Sequence, residues 1–447
     1  MQRTLTSGPI TKNLLLFAAP LMVGNLLQQC YNLADTWVVG RFLGADALAA
    51  VGSSYTLMVF LTSILLGLCM GSGAIFSICY GQDDMERLKS SLFTAFAFIC
   101  VLTLLLNLAV YLLLEPIIRL LQVPPEVSPL MRDYLQIIFA GISATFLYNF
   151  FSNLLRAVGD SVTPLIFLAI SSVLNIVLDL VFVLVVPWGV KGAAFATILS
   201  QFVAGLGLLV YTLLRFPALR IARRHIRYDR RILRDIASLS SLTCLQQSVM
   251  NFGILMIQGL VNSFGTAVMA AFAAAVKIDS FAYMPVQDFG NAFSTFTAQN
   301  FGAGNQARIR AGIRSCIGAV CIFCFGVSAL VCLFARPLMG LFVAPSETEI
   351  IAIGVQYLWI EASCYVGIGL LFLLYGFFRA VRRPMFSVVL TAISLGTRVL
   401  LAYILSAVPA IGVVGIWMSV PIGWFLADLT GFWYYKTHRT QCLAPNA

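Results

Sequence analysis

The chain is poor in charge and nearly devoid of histidine. Only 10% of its 447 residues are Asp, Glu, Lys or Arg, against about 25% in a soluble domain. The two histidines are His225 and His438, both in basic loop or tail segments. The first shortage excludes a soluble globular chain. The second removes most His-based catalysis and metal chemistry, and no HExxH occurs. No GxxxxGKS or GxxxxGKT loop is present, which excludes a P-loop nucleotide motor. The Gly-rich FGAGNQARIR beginning at Phe301 lacks the Lys-Ser/Thr ending and reads as a turn between helices. An enzyme is therefore not expected, nor a cofactor or a resident metal. Strand-length alternation of apolar and polar residues is also missing, which excludes a membrane β-barrel. The first residues are mostly polar and the apolar stretch after them is too long for a leader's core, so no cleaved signal peptide is expected.

What the chain has is apolar length. Hydrophobic residues make up 60% of it, and the mean hydropathy is +0.94. A bilayer core of about 30 Å needs about 20 apolar residues per helix. Twelve segments qualify, at 14–39, 47–80, 91–114, 134–155, 164–186, 193–214, 237–264, 267–299, 312–335, 351–378, 385–408 and 411–435. The expected fold is all-α and polytopic. Eleven cysteines lie mostly within these runs and read as reduced packing residues, the Cys321/Cys324 pair included.

Basic residues set the orientation. With the N-terminus inside, twenty-one of the 28 Lys and Arg fall in cytoplasmic segments, five in outer ones, and Lys277 and Arg398 within the membrane. Both termini are expected in the cytoplasm of a cell (inner) membrane protein. The net charge of +10 then reflects topology and membrane lipid, with no nucleic acid implied. Eight Arg between 215 and 234 mark a linker against anionic lipid.

The halves repeat. Gly44, Ala49, Ala50, Phe60, Gly81 and Arg87 match Gly265, Ala270, Ala271, Phe281, Gly302 and Arg308 at an offset of 221. Arg156-Ala157-Val158 matches Arg379-Ala380-Val381, and Gly189-Val190 with Gly192 matches Gly412-Val413 with Gly415, both at 223. Six helices per half give both halves one orientation, a parallel pseudo-two-fold repeat of the transporter type. The expected domains are an N-lobe at 1–214, a cytoplasmic linker at 215–236 and a C-lobe at 237–447.

Two apolar segments of the first half carry acids. In the first, Asn25, Gln28, Asn32 and Asp35 are spaced three, four and three residues apart, on one helical face. In the fifth, Ser172, Asn175 and Asp179 share a face. An Asp at the centre of a membrane helix costs roughly 2.5–3.5 kcal/mol, so it marks a functional site by default. If the two faces meet, the pair can hold a proton, Na⁺ or a cationic substrate. Pro20 removes a backbone hydrogen bond and makes the first helix bendable. In the second half the positions matching Asp35 and Asp179 are Met256 and Ala402. Its polar candidates are Gln247, Asn251, Lys277, Asp288 and Glu361, with Asp279, Arg398 and Asp428 as further buried charges. A Lys277 ion pair with a neighbouring acid is expected to be structural.

The strings QQCYNLADTWVVGRFLGADALAAVG, RAVGDSVTP, NIVLDLVFVLVVPWGVKGAAFAT and QNFGAGNQARIR resemble the multidrug and toxic compound extrusion (MATE) transporters, over essentially the whole chain. The resemblance implies efflux of organic, often cationic compounds by alternating access, coupled to inward movement of H⁺ or Na⁺. It implies an N-lobe cation site at Tyr31, Asp35, Asn175, Asp179 and Thr197, with Asn149, or else Asn153, from the fourth helix. Pro20 matches the family's first-helix bend. Members with a C-lobe cation site use acids in the seventh and tenth helices. Here the seventh carries Gln246 and Gln247 and the tenth Glu361, so coupling is expected in the N-lobe. A functional monomer is expected. The alternative reading is a flippase of lipid-linked or other amphipathic lipids, which would need a cationic central cavity for a phosphate.

Overall fold

The computed structural model describes residues 5–120, 124–226 and 229–443, and among them there are helices and no strand. The first half runs α1 (Ile10–Phe42), α2 (Ala45–Gly81), α3 (Met85–Leu120), α4 (Ser128–Ala140), α5 (Ile142–Ala157), α6 (Val162–Leu180) and α7 (Gly189–Arg215). The second runs α8 (Arg230–Asn262), α9 (Thr266–Gly302), α10 (Gln306–Leu333), α11 (Ala335–Met339), α12 (Thr348–Ala362), α13 (Tyr365–Ala380), α14 (Pro384–Ser406), α15 (Val414–Thr437) and α16 (Arg439–Leu443). Apolar sequence in hydrocarbon must satisfy its own backbone groups, and a helix does so within one segment. Ten helices are individually long and apolar enough to cross a membrane, and two bent pairs bring the spans to twelve. The protein is an all-helical integral membrane protein.

The bent pairs are α4 with α5, at 45°, and α12 with α13, at 51°. The apolar runs 134–155 and 351–378 predict one span each, and each is interrupted. The first break lies at Gly141, where an added Cβ would collide with Ile198 of α7. Only glycine admits that approach, and the helix axis turns there. Residue 364, at the repeat offset of 223, marks the second break. The fifth apolar run also ends irregularly, in a π-helical turn at Val181–Val185, before Pro187, which cannot continue a helix.

The repeat is written in the backbone as well as in the side chains. Gly44 and Gly265 have φ of 88° and 97°, and Gly189 and Gly412 have 62° and 55°. All four occupy the left-handed region at equivalent turns, where a side chain would strain the chain.

The helices cluster into two compact units. The first contains Ala19–Cys244, and the second contains Leu5–Ala18 together with residues from Leu245 onward. The divisions fall inside α1, two residues before Pro20, and inside α8. In the first unit Phe96 meets Phe146, Phe150 and Phe151 in edge-on and tilted contacts. A second cluster gathers Leu65, Met131, Leu135, Ala193 and Ala194. In the second unit Phe272 stacks on Trp417 while Tyr357 meets both edge-on. There Leu5 is fully buried; its N–H donates to Gln299 Oε1, and its carbonyl accepts from Asn300 Nδ2 and Arg308 Nε. Leu104, Leu105, Leu108 and Leu112 form an exposed apolar row on α3, as a lipid-facing surface requires.

The basic stretch after α7 is tied to the first unit. Buried His225 accepts the Ala222 N–H at Nδ1 (2.9 Å) and donates from Nε2 to Glu86 (2.8 Å). Arg224 donates to the other Glu86 oxygen at 2.8 Å. All eleven cysteines are free thiols.

Candidate cation site

Helix α1 places Tyr31 and Asp35 one turn apart, and α6 does the same for Asn175 and Asp179. The two helices touch through side chains: a Cβ on Gly24 would meet Leu168 and Leu165 at 3.5 and 3.7 Å, ordinary van der Waals distances. Three turns further along, the carboxyls of Asp35 and Asp179 face one another within hydrogen-bonding range. Asp179 is fully buried. Both of its oxygens, Asp35 Oδ1 and Asn175 Oδ1 receive no hydrogen bond. The Asn175 amide donates to Thr197 Oγ1 on α7 at a long 3.5 Å, and that hydroxyl donates to the Ala193 carbonyl at 3.1 Å. Two carboxylates, an amide oxygen and a hydroxyl thus converge, with acceptors in excess of donors. What satisfies such a cluster is a proton, a monovalent cation or a cationic ligand. Among the described residues no group of three or more His, Cys, Asp and Glu forms a metal site.

Tyrosines wall the pair. Tyr31 lies in the field of Asp35, and Tyr134 of α4 in that of Tyr31, Asp35 and Asp179 together. Tyr134 is absent from the sequence-predicted residues. One signal for it existed, because at offset 223 it matches Tyr357, which borders an acidic cluster in the second unit. Asn149 and Asn153 of α5 spend their amide groups on carbonyls one turn back, at Thr145 and Asn149 (2.8 Å each).

The second-unit candidates are dispersed. Gln247 and Asn251 are half-buried on α8, Lys277 is exposed, and Asp288 is buried. Asp288 lies nine residues from Asp279 on α9, about 13 Å along the axis. The ion pair expected of Lys277 is not formed among the described residues; its side chain leaves the face of α9 that carries Asp279. Glu361 is buried and faces Asp279 and Arg398, a grouping the sequence did not indicate.

The MatE family model matches residues 20–181 and 242–404, one stretch in each half of the repeat. The chain belongs to the MATE family. It is a membrane transporter and not an enzyme. The probable multidrug resistance protein YpnP of Bacillus subtilis (strain 168) is 34% identical over 440 residues, 98% of this chain and 97% of that one. A solved outward-facing conformation of a multidrug resistance MATE family transporter of the MOP superfamily superposes with a TM-score of 0.91 at 25% identity, over 99% of this chain and 98% of that one. A crystal structure of MATE in the bent conformation gives 0.89 at 25% identity, covering 98% and 97%.

Proposed function

We propose that this MATE protein exports organic, often cationic, amphipathic compounds in exchange for protons or Na⁺. One observation carries the reading: Asp35 and Asp179 face each other with acceptors unfilled and no basic side chain among the groups acting on them. A pair of that kind alternates between an external cation and a cationic substrate. Cation or proton entry from outside lowers the negative charge of the pair. The discharged site no longer holds α1 straight, α1 bends at Pro20, and substrate is released outside. The ion leaves to the cytoplasm, and the recharged pair takes up the next substrate. The membrane potential supplies about 2.3 kcal/mol per charge per 100 mV. In this scheme the lobes 1–214 and 237–447 move about the linker 215–236, both termini are cytoplasmic in the cell membrane, and the monomer is the working unit. A lipid flippase would present cations to a phosphate, and the acidic pair favours the exporter.

The test is transport by reconstituted Asp35→Asn in proteoliposomes under an imposed pH or Na⁺ gradient, with an organic cation such as ethidium inside the reaction. Loss of gradient-driven flux at matched protein incorporation is expected. Undiminished flux would overturn the reading, and the gradient that drives the wild type names the coupling ion.

A further inference from the structure

A second carboxylate pair lies in the second unit. Asp279 of α9 and Glu361 of α12 are both buried and face each other within hydrogen-bonding range. Tyr357 of α12 and Tyr365 of α13 lie beside them, and Tyr283 of α9 lies in the same field. Cys332 of α10 borders Tyr365. Four buried polar atoms here lack a hydrogen-bond partner: Asp279 Oδ1, Glu361 Oε1, the Tyr365 hydroxyl and Arg398 Nε. Arg398 of α14 is the basic group that acts on both acids.

The repeat shows what Arg398 replaces. At offset 223, Ala169-Ile170-Ser171 of α6 matches Ala392-Ile393-Ser394 of α14. The helix packing keeps that register: Ser171 Oγ donates to the Ser200 carbonyl, and Gly423, which matches Ser200, abuts the Ser394 carbonyl. Arg398 therefore stands where the first unit has Asn175, and Tyr357 where it has Tyr134. One unit surrounds its two acids with an uncharged amide. The other supplies a guanidinium, a cation with five N–H donors and no acceptor.

Charge counting separates the two sites. Asp35 with Asp179 carries two negative charges when ionised, so a bound proton leaves one charge still to be matched by a cation. Asp279 with Glu361 and Arg398 carries one net negative charge, and a single proton shared between the two carboxyls neutralises it. A metal or organic cation entering that cluster would meet the guanidinium at close quarters in a low dielectric. We propose that Arg398 is the resident cation of a second carboxylate site, and that it restricts this site to one exchangeable proton and closes it to Na⁺ and to cationic substrates. This deepens the coupling reading given above by adding a proton-only site to the same cycle.

The test uses the full-length protein with the first pair neutralised, Asp35→Asn/Asp179→Asn, so that failure of the first-unit reading and failure of this one are seen separately. Calorimetric titration with NaCl against choline chloride at constant ionic strength is expected to show no Na⁺ binding. Adding Arg398→Asn, which installs the residue of the first unit, is expected to create saturable Na⁺ binding that a further Asp279→Asn abolishes. Arg398→Lys keeps the charge and is expected to gain none. In the neutralised background, pH-difference infrared spectroscopy is expected to show a titrating protonated-carboxyl band that Asp279→Asn removes. Na⁺ binding by the neutralised background at the strength of the Arg398→Asn form, no binding by that form, or no such infrared band would overturn the proposal. If Arg398→Asn and Arg398→Gln both fail to fold, recovery on adding Asp279→Asn supports Arg398 as the counter-charge, and failure to recover overturns it.

Discussion

Asp35 on α1 and Asp179 on α6 meet carboxyl to carboxyl, and Asp179 receives no hydrogen bond on either oxygen. Groups that act as one unit give non-additive losses when removed singly and together. Asp35→Asn, Asp179→Asn and the double variant are each expected to lower gradient-driven export by at least about tenfold, and the double variant no further than the worse single one. Proteoliposome flux at matched incorporation measures this. Losses that multiply would mean that the two acids work independently.

Thr197 holds the amide that borders the pair. Its Oγ1 accepts from Asn175 Nδ2 at 3.5 Å, and both side chains are buried. Thr197→Val keeps the shape and removes the acceptor, leaving a buried amide without its partner, a change that costs about 1–3 kcal/mol. A lower melting temperature in detergent is expected, together with weaker binding of the coupling ion. The long bond sets the lower end of that range as the expectation. An unchanged melting temperature and unchanged ion dependence would show that the contact contributes nothing.

At the break between α4 and α5, residue 141 has no room for a side chain beside Ile198. Gly141→Ala is expected to destabilise by about 1–3 kcal/mol, the usual cost of overpacking. Ile198→Ala should relieve much of it, because it removes the atoms that the new methyl meets. Melting curves of the two single variants and the double variant decide the matter, and simple addition of their effects would remove Ile198 as the cause.

Much of this was readable in one dimension. Apolar length located the twelve spans, and the three- and four-residue spacing around Asp35 and Asp179 identified the faces that meet. Spacing along a helix tells which side chains share a face, but not which neighbouring helix that face sees. For that reason Asp279, Glu361 and Arg398, on three different helices, did not emerge as a group, and Lys277, two residues from Asp279, drew the attention that Arg398 merits. Tyr134 escaped for the same reason. The breaks in the fourth and tenth spans were hidden because composition stays apolar through them, while the cause at Gly141 is a contact with a residue 57 positions away.

Pro20 lies within the continuous helix α1, where it withholds an N–H from the carbonyl one turn back, at Leu16. That missing bond lowers the resistance of α1 to bending close to the point where the helix passes from one compact unit to the other. Pro20→Ala restores the donor. Tyr31 and Asp35 are more than two turns away, so ion and substrate binding are expected to stay close to the wild-type values. If bending is part of the cycle, turnover is expected to fall several-fold while thermal stability stays equal or rises. The stability arm matters, because a proline removed from a helix interior ordinarily stabilises it by up to about 3 kcal/mol. A slow, well-folded, fully binding variant would locate the defect in the conformational step. Wild-type turnover in the same variant would take Pro20 out of the mechanism and leave α1 as a rigid carrier of Asp35.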